Sequence, residues 1–211
     1  MILRPSLLAP SRLLVLSSLL VLSACSSTPM RYHTLIPTQP AEAAANDPSV
    51  DFQLQLMPVR IPMQVDQPSL IVRESDGQLT ILETALWASP PADEFHDALA
   101  FALEHRLGVR DLAGLPGNPA QPVVSVRTDV RRFDSLPGSH TALDVVWSLE
   151  LKNSQKQRAL TCASRINEPA TTEIASLVQA HQRSIGKLAE EMAGVARALV
   201  ENDMAACPSA R

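Results

Sequence analysis

Apolar and polar residues alternate most cleanly over residues 141–151. There Leu143, Val145, Trp147, Leu149 and Leu151 share one parity against Asp144, Ser148 and Glu150, the two-residue period of a half-buried strand. The same period, with Phe52, Leu54 and Leu56 against Gln53 and Gln55, predicts a strand ending near Arg60. Residues 69–73 and 78–82 flank the turn signal Ser75-Asp76-Gly77 and read as a hairpin. Residues 31–36, 123–133 and 158–166 complete the predicted strands, with Leu160 and Cys162 on one face of the last. Residues 37–49, 109–121 and 134–139 carry the proline, glycine and small polar residues of loops. The period changes to 3.6 twice. After Pro90-Pro91, Asp93 and Glu94 occupy a first turn, Phe95, Leu99 and Leu103 form an apolar ladder, and His105, Arg106 and Gly108 mark the end. Over residues 172–204, Ile174, Leu177, Val178, His181, Ile185, Leu188, Met192, Val195 and Leu199 form a longer stripe, locally weakened by Gly186 and Gly194. One strand, then three strands and a helix, twice, predicts an α+β fold. Its expected form is a mostly antiparallel sheet with two helices, one long and C-terminal, packed on one face.

The N-terminal pattern is of another kind. An apolar run over residues 13–22, broken by Ser17 and Ser18, follows Arg4 and Arg12 and ends in small residues, as in a secretory signal too short to span a bilayer stably. The tetrapeptide Leu22-Ser23-Ala24-Cys25 resembles the lipobox of bacterial lipoproteins, in which the cysteine is lipidated and becomes the first residue of the mature chain. Residues 1–24 are therefore expected to be removed. Residues 25–49 hold the lipidated Cys25, a tether, a first strand and a loop, and residues 50–211 continue a single domain. Loss of Arg4 and Arg12 takes the formal charge of −4 to −6. That balance gives no general attraction to nucleic acid or anionic head groups, so membrane attachment is expected to come from the acyl chains on Cys25.

With Cys25 lipidated, Cys162 and Cys207 remain in a compartment where disulfides persist. A bridge between them would pin the end of the long helix to the sheet. Two buried free thiols are the alternative.

The ordered set Tyr32-His33-Thr34-Leu35, Val59-Arg60-Ile61-Pro62, Asp66, Pro68-Ser69-Leu70-Ile71-Val72-Arg73, Trp87-Ala88, Pro90 and Val130-Arg131-Arg132-Phe133-Asp134, leading to Leu143 and Trp147, resembles the PqiC-type auxiliary lipoproteins of ABC/MCE transport systems. The resemblance implies a non-enzymatic subunit lipid-anchored at the periplasmic face of the outer membrane. It implies a periplasm-spanning MCE-domain protein as partner, lipid movement between membranes as the task, support of outer-membrane integrity, and no cofactor; it leaves room for a homo-oligomer. The chain departs from the pattern at Gln64 and Gln67, where an aromatic and an arginine are common, and at Leu86 and Ser89, where the relatives carry Arg and Glu.

Candidate contact residues are few. Trp87 and Trp147 have the character of interface anchors, although Trp147 follows the strand alternation of a core residue. Arg127, Arg131 and Arg132 match phosphate recognition, although a solvated strand face beside Asp129 and Asp134 is the more ordinary reading. Trp87, Arg131 and Arg132 are taken as the partner-facing set. His181 falls on the apolar stripe and reads as a histidine at the core edge. The rival class is an anchored hydrolase, whose closest polar cluster is Ser139-His140 with Asp144. No G-x-S-x-G or H-E-x-x-H occurs. A structural outer-membrane assembly lipoprotein is a second rival.

Overall fold

The computed structural model describes residues 29–39, 50–153, 157–201 and 205–208. The expected signal peptide, Cys25 and its first tether residues lie outside these. The described elements are β1 (Arg31–His33), β2 (Gln53–Leu56), β3 (Ser69–Ser75), β4 (Gln78–Trp87), α1 (Pro91–Leu107), β5 (Val123–Leu136), β6 (His140–Lys152), β7 (Gln157–Pro169) and α2 (Ile174–Glu201). This is the α+β order read from the sequence.

The strands divide into two sheets, ordered β1-β4-β3 and β2-β5-β6-β7. The pairs β1/β4 and β2/β5 are parallel, and the other pairs antiparallel. The chain thus places β2 beside a strand from the second half, so the two halves repeat an order of elements without folding as separate units. Beyond β2 the chain keeps following β5: Met57 N donates to Val126 O at 2.8 Å and Val130 N to Arg60 O at 2.8 Å. Past the bulge between Val130 and Arg132, β3 takes over as the neighbour, and Arg73 reaches Asp134.

On β6 the alternation is realised in full. Leu143, Val145, Trp147, Leu149 and Leu151 are all at most 2 % exposed, on the face covered by α2. Trp147 Nε1 donates to Ser164 Oγ at 2.8 Å, and Ser164 Oγ donates to Glu191 of α2 at 2.5 Å, which satisfies the one polar atom of a buried indole. In α1, Pro91 opens the helix, and Gly108 ends it at φ 67°, donating its N–H to Glu104 O. The stripe of α2 is buried against the second sheet, and α1 packs beside α2 so that both helices lie on one side. Cys162 and Cys207 are joined, closing a 45-residue loop and holding the segment after α2 against β7.

Several boundaries differ from the periodic reading for physical reasons. β1 ends at His33, because Thr34 and Leu35 turn inward to bond Glu94. Gln53, expected on the wet face, is 6 % exposed, because its amide accepts from Asn118 N at 2.6 Å and donates to Asn118 O at 2.7 Å. β5 continues to Leu136 through the polar residues expected to form a loop, since Asp134 and Ser135 find buried partners there. Trp87 closes β4 rather than lying in a connection.

Candidate functional site

The two sheets and two helices meet where the N-terminal segment enters. Leu35 is fully buried. Glu94, in the first turn of α1 and 4 % exposed, holds the segment in place: one carboxylate oxygen accepts from Thr34 Oγ1 and Leu35 N, both at 2.7 Å. The other oxygen accepts from Ser89 N at 3.2 Å and Ser89 Oγ at 3.0 Å. From α2, Gln182 Nε2 donates to Thr34 O at 3.1 Å. A buried carboxylate that accepts four hydrogen bonds holds a chain segment strongly. Asp66 supports the same corner by accepting from Ala92 N in the first turn of α1.

Beneath this corner lies an aromatic cluster. Phe133 touches Trp87 at 6.3 Å, Phe95 edge-on at 6.2 Å and His181 in a stack at 4.0 Å, centroid to centroid. Trp87, expected to face a partner, is only 5 % exposed. The bulge that shifts the β3/β4 register turns it inward, so its ring completes the core. His181, expected at the core edge, is 1 % exposed and lies deeper than that. Its Nε2 is 2.9 Å from Ser135 Oγ, and its Nδ1 is buried without a partner. Burial pushes the imidazole pKa down to about 3, against a smaller upward pull from Asp134. A neutral histidine paired with serine resembles a nucleophile and its base. Both groups are sealed from solvent, however, and nothing orients the second ring nitrogen.

Arg131 and Arg132 sit on an open cleft of about 410 Å³ at the junction of the sheets, with Gln64, Arg73, Asp76, Asp134 and Asp144 also in its wall. Arg73 grips Asp134 with two bonds, Nε at 2.9 Å and Nη2 at 3.1 Å, and Arg132 Nε adds a third at 2.6 Å. Burial alone would raise the Asp134 carboxyl, but the hydrogen bonds from Arg73 and Arg132 outweigh it and hold its pKa below the ordinary value. Arg131 pairs with Asp129 at 2.9 Å, and Asp144 with Arg165 at 3.3 Å. Three arginines therefore face three aspartates, and a phosphate would have to displace existing pairs to bind. Arg127 does not join them. It borders a separate hollow of about 310 Å³ with Met57, Pro58, Val146 and Thr161. The Ser139-His140 pair is exposed, at 2.8 Å, while Asp144 is engaged elsewhere.

Arg73, Asp134 and Glu94 were not singled out from sequence. The signals present were the place of Arg73 and Asp134 in the family-resembling set and the position of Glu94 in a helix's opening turn.

Among the described residues no helix is long and apolar enough to cross a membrane. No curated protein matches the chain in sequence. Two crystal structures share its fold. One is of a Xanthomonas campestris protein of the DUF330 family, with a TM-score of 0.58 and 22 % identity over 81 % of this chain and 95 % of that one. The other is of an uncharacterized protein, with a TM-score of 0.57 and 16 % identity over 79 % of this chain and 98 % of that one. The family model for the ABC-type transport auxiliary lipoprotein component matches residues 33–193, from the end of β1 to within α2. The chain belongs to the ABC-type transport auxiliary lipoprotein component family.

Proposed function

We propose that the protein is the non-enzymatic, lipid-anchored periplasmic subunit of an MCE/ABC-type intermembrane lipid transport system. It is held at the outer membrane by acyl chains on Cys25 and supports outer-membrane integrity. The observation that carries the reading is the family match over residues 33–193, preceded by the lipobox-like Leu22-Ser23-Ala24-Cys25. The role is positional: the anchor fixes the domain to the membrane, and the folded face docks an elongated MCE-domain partner. The charge-balanced cleft with Arg131 and Arg132 is the candidate contact surface, since paired arginines and aspartates suit a polar protein surface better than a bare phosphate. The sealed Ser135–His181 pair favours this reading over an anchored hydrolase.

The test is a detergent pull-down of the tagged protein from whole envelopes, wild type beside Cys25→Ala, with partners identified by mass spectrometry. Recovery of an MCE-domain protein, weakened or lost without the anchor, is expected. Clean recovery of the lipoprotein alone, under crosslinking as well, would sink the reading and put a structural outer-membrane assembly role first.

A further inference from the structure

Among the described residues, the outer face of the β1-β4-β3 sheet exposes apolar side chains. On β1, Arg31 and His33 are in register with the buried Ala85 and Trp87, whereas Tyr32 is in register with Leu86 on the opposite face and is 66 % exposed. On the hairpin, Leu70 and Val72 turn inward, while Ile71 lies opposite Ile81 and Arg73 opposite Leu79 on the outer side. Ile81 is 53 % and Leu79 36 % exposed. From Leu86 to Ile81 the strand covers about 15 Å, so Tyr32, Ile81 and Leu79 are spaced along one side of the sheet. The outer face of the four-stranded sheet is its opposite in character, carrying Arg127, Asp129, Ser148, Glu150, Thr161 and Arg165.

The chain toward Cys25 leads from the start of β1, an edge strand of this same sheet. Arg31 lies six positions after Cys25, a reach of about 20 Å at full extension. Met30, at the root of that reach, is 64 % exposed. We propose that the face bearing Tyr32, Leu79 and Ile81 lies on the bilayer that holds the acyl chains of Cys25. This rests on the anchoring reading above and adds the orientation of the domain to it. A tyrosine beside aliphatic side chains suits the water–hydrocarbon boundary. The charged residues on this face are Glu83, at the bulge, and Arg73, which is held by Asp134; among the described residues no lysine or arginine cluster joins them, so the proposed contact does not depend on anionic lipid.

Tyr32 is the single tyrosine of the chain, so biosynthetic 3-fluorotyrosine gives one fluorine resonance. The lipidated protein is placed in nanodiscs of phosphatidylethanolamine and phosphatidylglycerol, with and without head-group nitroxide lipid, and separately exposed to a water-soluble gadolinium chelate. The resonance is expected to broaden with the nitroxide lipid and to resist the chelate, and Ile81→Asp is expected to reverse both while the protein still co-elutes with the discs. Co-elution with a resonance broadened only by the chelate, or by neither agent, overturns the proposal and leaves the anchor standing. Failure to co-elute overturns the anchoring reading and the proposal with it.

Discussion

His181 makes the stability of this domain depend on pH well above the range in which carboxylates titrate. In the fold its ring is stacked on Phe133 and sealed, with a pKa lowered to about 3. In the unfolded chain it returns to about 6.5. Between those values the unfolded state holds a proton that the folded state does not, so stability falls as pH falls. Each unit is worth about 1.4 kcal/mol once pH is well below the unfolded pKa, and the change from pH 7 to pH 5 comes to about 2 kcal/mol. That is about a 25-fold rise in the unfolding constant. Asp134 and Glu168 add little in this window. In both, burial raises the carboxyl pKa, but hydrogen bonds from Arg73 and Arg132, or from Lys187 and Arg183, outweigh it and leave the pKa lowered. Their contributions disappear only as pH falls through those lowered values. His33 shares the window and the sign, lowered by burial and then by Arg31, so the comparison belongs in a His33→Gln background. Urea unfolding followed by the fluorescence of the two tryptophans, at pH 7, 6 and 5, gives the free energies. His181→Gln is expected to be less stable at pH 7 but to lose about 2 kcal/mol less than its parent on going to pH 5. Parallel pH profiles for the two proteins would refute the reasoning.

Three further outcomes are expected. Cys207→Ser removes the closure of a 45-residue loop, for which the chain-entropy model gives about 4 kcal/mol; a thermal melt within about 2 °C of wild type would contradict it. Glu94→Ala strands Leu35 N and Thr34 Oγ1 beside the core and should cost on the order of 2–3 kcal/mol, with faster proteolysis near residues 33–36 as its signature. Asp134→Asn leaves Arg73, 19 % exposed, without its carboxylate and should cost on the order of 2 kcal/mol by denaturant midpoint. By contrast, Arg131→Met, at a guanidinium 58 % exposed, should stay within about 0.5 kcal/mol; equal effects would show that the cleft's ion pairs are not ranked by burial.

The elements were legible wherever one period and one environment coincided. Residues 143–151 alternate because one face of β6 meets α2 and the other meets water, and Phe95, Leu99 and Leu103 repeat because α1 buries a single stripe. Legibility failed where a polar residue is buried for a distant partner. Gln53, Asp134 and Ser135 look like surface or loop residues in sequence, yet their partners lie between 46 and 65 positions away. Trp87 was misplaced for a related reason: a bulge inverts the strand's faces, and no local pattern announces it. The placement of β2 beside β5 is a matter of tertiary pairing, which periodicity does not encode. The cysteine pairing followed from the count, the expected compartment and the place of Cys207 just past the long helix, which left free thiols as the alternative, and the two cysteines are joined.

The clasp around Leu35 makes the N-terminus a mechanical part. On the proposed anchoring at Cys25, drag between membrane and partner would enter the domain through three residues of β1, pulled lengthwise against β4 so that the parallel bonds share the load in shear. Behind them the load passes to Leu35 and the Glu94 carboxylate, so that α1 shares it with the β3/β4 hairpin. A strain that would unzip a loosely tied strand one bond at a time must here break several together. The segment that follows the expected tether is thus moored at two points, to β4 and to α1.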